Sequence, residues 1–410
     1  MGGQEPTMKL ESKKQINGMI FLFAVTYMVS YITRINYGAM ISEMVTATGF
    51  SKSLLSMAVT GSFITYGAGQ IVSGVIGDKV SPKKLISIGF CITIAMNLLI
   101  TVCQNPFQML FVWCVNGFAQ SFMWPPLVRL MTVLFTTEDY KSSSAKVAWG
   151  SSIGTIVVYA VSPVMILLSG WRAMFVFSAA CGIVMLIFWN RYCLDLVTPK
   201  IPRDNSRKKE KAPLFSPVMI ALMISIVLMG MLRDGVTTWM PSYIAETYHL
   251  SNVVSILTGV ILPLFSIFCF HIGSWLYKKK FTNPVTCAGV IYILGVAAAL
   301  GIVLFTGKNA VLSVAFSAVL TGSMHGVNLM LIMMLPAYFA RWGHVSTASG
   351  ILNSCTYIGS ALSTYGVALL SEKLGWGFTV MSWLAIAVLG TVICLVCAKP
   401  WDRKFRQENP

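Results

Sequence analysis

INGMIFLFAVTYMVSYITRINYGAMI, residues 16–41, is an apolar run long enough to cross a bilayer, and it carries one guanidinium, Arg34, inside it. About 20 apolar residues are needed for a helix to span the hydrocarbon. Backbone facing lipid has no water to satisfy its N–H and C=O groups, so such a run must be helical. FSPVMIALMISIVLMGMLRDGVTTWM, residues 215–240, repeats the pattern with Arg233.

The rest of the chain has the same character. Of its 410 residues 56% are hydrophobic and 11% charged, whereas ordinary soluble domains are about a quarter charged. Twelve spans are predicted, at about 16–41, 53–76, 84–102, 107–134, 145–168, 172–192, 215–240, 253–277, 284–305, 310–337, 347–370 and 377–398. The fold class is therefore an all-α integral membrane protein of twelve transmembrane helices.

The net charge of +16 would point to nucleic acid in a soluble protein, but here the charges fall in the gaps between spans. Of 30 Lys and Arg residues, 24 lie in the gaps on the side of the N-terminus when segment ends such as Arg129, Lys146 and Arg191 are included, and only Lys52, Arg172, Lys308 and Lys373 belong to the opposite side. Positive loops stay inside, so both termini are expected in the cytoplasm, in a multi-pass protein of the inner (plasma) membrane. Its partners are then lipid and a small solute, with no nucleic acid, and a monomer is expected. The first run is too long for a signal-peptide core and lacks a cleavage site, so it reads as an uncleaved first helix. The ten cysteines are scattered in or beside apolar segments and read as packing residues.

The longest gap, 193–214, holds Pro199, Pro202, Pro213 and the basic cluster Arg207, Lys208, Lys209 and Lys211. It reads as a cytoplasmic linker dividing 1–192 from 215–410, each a six-helix bundle. Two features share one offset. Arg34 and Arg233 lie 199 residues apart, as do Gly74-x-x-x-Asp78-Lys79 and its echo Gly273-x-x-x-Tyr277-Lys278. Duplicated, pseudo-symmetric halves follow, and carriers built this way bind substrate near the midplane and alternate access by rocking.

A buried guanidinium cannot shed its proton, and placing one in the membrane costs at least ~2.5 kcal/mol. Few carboxylates are available as partners. Asp234 follows Arg233 but points about 100° away around a helix. The missing negative charge is then the substrate's, a small organic anion. The alternative is that both side chains snorkel to the outer interface. Tyr27, Tyr31 and Arg34 fall at i, i+4 and i+7, on one stripe of the first helix. Tyr66 with Gln70 in the second span, His325 with Asn328, and Tyr357 are further inward-facing candidates, each of which could instead serve helix–helix hydrogen bonding. Between spans two and three, Gly74, Asp78 and Lys79 suit a latch in which Asp78 accepts hydrogen bonds from a neighbouring helix end. No catalytic residue, metal cluster or cofactor is expected.

The loop from Gly74 to Lys84 resembles the signature loop of the major facilitator superfamily, and Gly170-Trp171-Arg172 is similar to a turn found there. Within it the chain resembles the organophosphate:phosphate antiporters, through Thr33-Arg34-Ile35-Asn36, Asn116-Gly117-Phe118-Ala119-Gln120 leading to Trp124-Pro125-Pro126, and Leu232-Arg233-Asp234-Gly235 with Trp239-x-Pro241-x-Tyr243. The resemblance implies that Arg34 and Arg233 match that family's phosphate-binding arginines, that Tyr27, Tyr31, Tyr66 and Tyr357 match its site tyrosines, and that inorganic phosphate is the counter-substrate. Ile35 and Gln70 stand where the family commonly has lysines, and span 5 has no histidine, which favours a less charged or bulkier anion. Phosphonates, sulfonates and carboxylates stay open. So do a proton- or sodium-coupled organic anion symporter and a transporter-like sensor.

Overall fold

The computed structural model describes residues 9–50, 52–195, 212–249 and 252–406. The basic cluster at 207–211 and most of the expected linker lie outside them. Among the described residues there is no strand. The helices are α1 (Lys13–Thr48), α2 (Lys52–Gly77), α3 (Pro82–Leu99), α4 (Pro106–Gln120), α5 (Trp124–Leu134), α6 (Thr137–Ser169), α7 (Trp171–Tyr192), α8 (Pro217–Tyr248), α9 (Asn252–Lys279), α10 (Pro284–Phe305), α11 (Ala310–Asn328) and α12 (Val345–Trp401). α4 and α5 together make one crossing, and Gly375 divides α12 into two, 345–374 and 376–401. Among the described residues the result is twelve membrane-crossing segments.

On length and composition alone, eight helices among the described residues qualify as membrane spans. α2, α6, the α4–α5 pair and the first half of α12 are not among them; α4 and α5 are 15 and 11 residues long, and the first half of α12 is rich in small polar residues. Ser346, Ser349, Asn353, Ser354, Thr356, Ser360 and Ser363 of α12 are all buried.

Sequence chemistry sets the helix starts. Asn105, Thr136, Asn283 and Asn309 each accept a backbone N–H from the first turn that follows, and Pro106 and Pro284 occupy first positions where a missing N–H costs nothing. Gly170, Gly307 and Gly375 turn the chain with φ of 71°, 74° and 76°, a region that side chains avoid.

Three expectations need correction. α1 and α8 run on to Thr48 and Tyr248, beyond the predicted ends at 41 and 240. The fourth span breaks between Gln120 and Trp124, where Pro125 and Pro126 bring no N–H to the preceding turn. The tenth does not stay α-helical to 337. It widens to a π turn over Leu329–Met334 and tightens to a 3-10 helix over Leu335–Trp342, around Pro336, which likewise has no N–H to give.

The chain forms two compact units, Met1–Ala212 with Pro336–Gly350, and Pro213–Leu335 with Ile351–Pro410. In the first, α1 lies along α6 and α7, α2 along α4, and α3 along α7. The approach of α6 to α1 is close because Gly154 has no side chain: a Cβ there would meet Met28 O at 2.6 Å and Tyr31 Cβ at 2.8 Å. A buried cluster around Tyr37, Trp113 and Phe175 fills one end of this unit. Ahead of α1, Lys9 Nζ donates to Thr132 O (2.7 Å) and Phe135 O (2.6 Å), while Leu10 N–H donates to Leu134 O, so this segment caps the end of α5. In the second unit α11 packs on α8, α9 and α10. There α8 meets α12 through a glycine from each, since a Cβ on Gly230 would overlap the backbone of Thr356 and one on Gly359 that of Val227.

Candidate functional site

The first unit holds Arg34 in its interior, 8% exposed, with its guanidinium carbon 4.2 Å from the ring centroid of Tyr31 and 4.6 Å from that of Tyr66. A cation over aromatic faces gains from ~0.5 kcal/mol at exposed sites to about 2 when desolvated. Tyr27 continues the stripe. Its hydroxyl lies 3.5 Å from that of Tyr31, and its ring packs 4.7 Å from Trp124. The structure thus brings together Tyr27, Tyr31, Arg34 and Tyr66, and Arg34 is buried among them rather than reaching for an interface. Phenol and guanidinium donors side by side can serve the several oxygens of one anion.

Polar side chains from three other helices fix the turn of α1 that carries Arg34. Thr33 O accepts from Asn97 Nδ2 (3.0 Å) and Asn116 Nδ2 (3.2 Å), and Thr33 Oγ1 accepts from Gln120 Nε2 (2.8 Å). Asn36 Nδ2 donates to Asn97 Oδ1 and to Ser178 Oγ, both at 2.8 Å. α3, α4 and α7 thereby hold α1 at one rotation, which aims Arg34. Asn97 and Ser178 were not among the predicted residues. The available signal was an amide and a hydroxyl inside long apolar runs, where each needs a partner.

Gln70 is not seen at Arg34. Its amide donates to Ser121 O at 3.5 Å across to the α4–α5 turn, and its Oε1 is a buried acceptor with no protein partner among the described residues.

In the second unit the neighbouring acid overturns the reading from helical offset. Arg233 Nε and Nη2 donate to Asp234 Oδ1 and Oδ2 at 2.7 and 2.8 Å, a two-pronged ion pair between adjacent residues. The offset of ~100° describes where Cβ atoms start, but an arginine is long enough to fold back across it. Arg233 Nη1 also donates to Asn328 Oδ1 at 3.1 Å on α11, and Ser360 of α12 donates its hydroxyl to Asp234 Oδ2. At Arg233, then, negative charge comes from the chain itself.

His325 lies one turn before Asn328 and within electrostatic reach of both Arg233 and Asp234. Its Nδ1 is engaged with Thr321 O at 2.9 Å, and its ring stands edge-on to Phe270. Tyr357 is half-buried three residues before Ser360, on the same side of α12.

The expected latch residues form a third cluster, in the first unit. Asp78 accepts from Ser346 N–H and Thr347 N–H, both at 2.8 Å, and from Thr347 Oγ1 at 2.6 Å. Its carboxylate therefore caps the start of α12, where backbone N–H groups and the helix dipole favour negative charge. A Cβ on Gly74 would meet Ser346 O at 2.7 Å, so glycine lets the segments approach. Lys79 is exposed. The cation that braces the turn is Arg129, which donates to Gly77 O and Val80 O and was counted from sequence only as an inside charge.

The family model described as Major Facilitator Superfamily matches residues 23–364. A protein of Chlamydia trachomatis named "Probable hexose phosphate transport protein" is 23% identical, over 93% of this chain and 91% of its own. The "Membrane sensor protein UhpC" of Escherichia coli is 22% identical, over 88% of each. Among solved structures, the proton:xylose symporter XylE bound to 6-bromo-6-deoxy-D-glucose superposes with a TM-score of 0.76 over 96% of both chains at 11% identity, a likeness of fold.

Proposed function

Because the chain belongs to the Major Facilitator Superfamily, we propose that it is a secondary transporter of a small organic anion, foremost an organophosphate such as a sugar phosphate. It exchanges this for inorganic phosphate by alternating access, as a monomer in the inner membrane with both termini in the cytoplasm. The observation that carries the reading is Arg34, a permanent cation inside an apolar helix with two tyrosine rings against it. Arginine's planar fork matches phosphate oxygens two at a time, and the tyrosine hydroxyls of the same stripe supply neutral donors. Arg233 is the corresponding group of the second unit, and Tyr357 and His325 flank its cluster. Asp78, Gly74 and Arg129 serve as the latch. The hexose phosphate protein named above lends the substrate class.

The test is exchange in liposomes containing the purified protein alone. Phosphate-loaded vesicles should take up labelled glucose 6-phosphate, and uptake should survive a protonophore and vanish without internal phosphate. Competition by phosphonate, sulfonate and carboxylate compounds then ranks the anions. Uptake that needs a proton or sodium gradient instead would favour a symporter, the reading to which Asp234 and His325 beside Arg233 lend most weight. Binding without any flux would favour a sensor, in line with the other relative.

A further inference from the structure

The carboxylate of Asp234 sits in a seat built for an anion. It receives two parallel N–H bonds from Arg233 and a hydroxyl bond from Ser360, while Asn328 braces the far end of the guanidinium. The donors come from α8 and α12, and the acceptor that holds the guanidinium's far end comes from α11. No helix-packing need is evident in the pairing itself, because Arg233 and Asp234 are consecutive and tie no two elements together. We infer that Asp234 is a tethered stand-in for the transported anion, occupying the Arg233 seat when substrate is absent and competing with it when substrate arrives. This rests on the reading of Arg233 as an anion-binding group.

The physical reason is the cost of an empty seat. A carrier that binds anions through a buried guanidinium must pass through a state with no anion bound, and an uncompensated cation at membrane depth is strongly disfavoured. A carboxylate one residue away removes that penalty without leaving the helix. The same pair weakens substrate binding. If Arg233 is released from Asp234 in roughly a tenth of molecules, apparent affinity falls about tenfold. Asp234 therefore sets affinity and eases release, and it positions charge rather than contacting substrate.

The experiment uses the full-length purified protein and inorganic phosphate. Phosphate binding is read from the rise in melting temperature with phosphate concentration, for wild type, Asp234→Asn and Asp234→Glu. Asparagine keeps the shape and removes the competing charge, so half-saturation should fall roughly tenfold, and glutamate should restore a value near wild type. In liposomes the asparagine variant should show tighter binding with slower turnover, a split that a merely structural residue would not give. Unchanged affinity in a well-folded Asp234→Asn, or loss of binding there, overturns the inference while leaving the anion-carrier reading intact. Absence of phosphate binding in wild type and variant alike would sink both.

A measurement on wild type covers the case in which the variant does not fold. A hydrophobic carbodiimide should label Asp234 more heavily when phosphate is present, because the displaced carboxyl has lost its ion pair. Labelling that phosphate reduces or leaves unchanged contradicts displacement.

Discussion

A lysine at position 34 would keep the charge and lose nearly everything else that the structure gives it. The guanidinium carbon lies 4.2 and 4.6 Å from the centroids of the Tyr31 and Tyr66 rings, and an ammonium is a compact, strongly hydrated point with no fork. Arg34→Lys and Arg233→Lys should each reduce exchange by about ten- to a hundredfold, since a hydrogen bond to a charged group is worth roughly 1.5–3 kcal/mol. Size-exclusion and melting profiles should stay near wild type, and full activity in either variant would remove the site assignment. At this scale the local was legible and the reach of side chains was not. Tyr27, Tyr31 and Arg34 could be read as one stripe because helical periodicity alone sets it. The Arg233–Asp234 pair could not, because Cβ directions say nothing of where a long, flexible side chain carries its guanidinium. The acceptor role of Asp78 was readable, whereas its partners Ser346 and Thr347 lie 268 and 269 residues further along.

Each arginine-bearing helix is flanked by a glycine contact. Gly154 of α6 abuts α1 at Tyr31, and Gly359 of α12 abuts α8 at Val227. Adding one methyl group at Gly359 forces two backbones apart, and overpacking of this kind costs about 1–3 kcal/mol. Gly359→Ala should lower the melting temperature measurably, whereas Gly18→Ala on α1, with nothing within 4 Å of a built Cβ, should leave it unchanged or raise it. Equal effects at the two sites would count against close packing. The spans themselves were visible as apolar runs. Their true ends were not, because α1 and α8 continue into polar sequence that no longer needs lipid. The π turn after Asn328 has no signature except Pro336 a few residues downstream.

For the molecule entire, the distribution of 24 inward cations against four outward ones fixes the expected orientation. A fluorescent reporter that matures only in the cytoplasm should be bright when fused to the C-terminus, and an alkaline phosphatase fusion there should be silent. The reverse pattern would invert the topology. The shared offset of 199 residues exposed the duplicated plan, but nothing in it indicated that Pro336–Gly350 groups with the first compact unit. That grouping comes from Asp78 and Gly74 gripping the start of α12, a contact between residues far apart in the chain.

Lys9 and Leu10 tie down three carbonyls at the end of α5, which bears on how the protein is handled at the bench. A purification handle or fluorescent partner spliced tightly against residue 9 would pull on that clasp and unsettle the helix bearing Trp124, whose ring packs at a tilt against Tyr27. Engineered versions should keep this stretch intact and carry their cargo at the C-terminus instead.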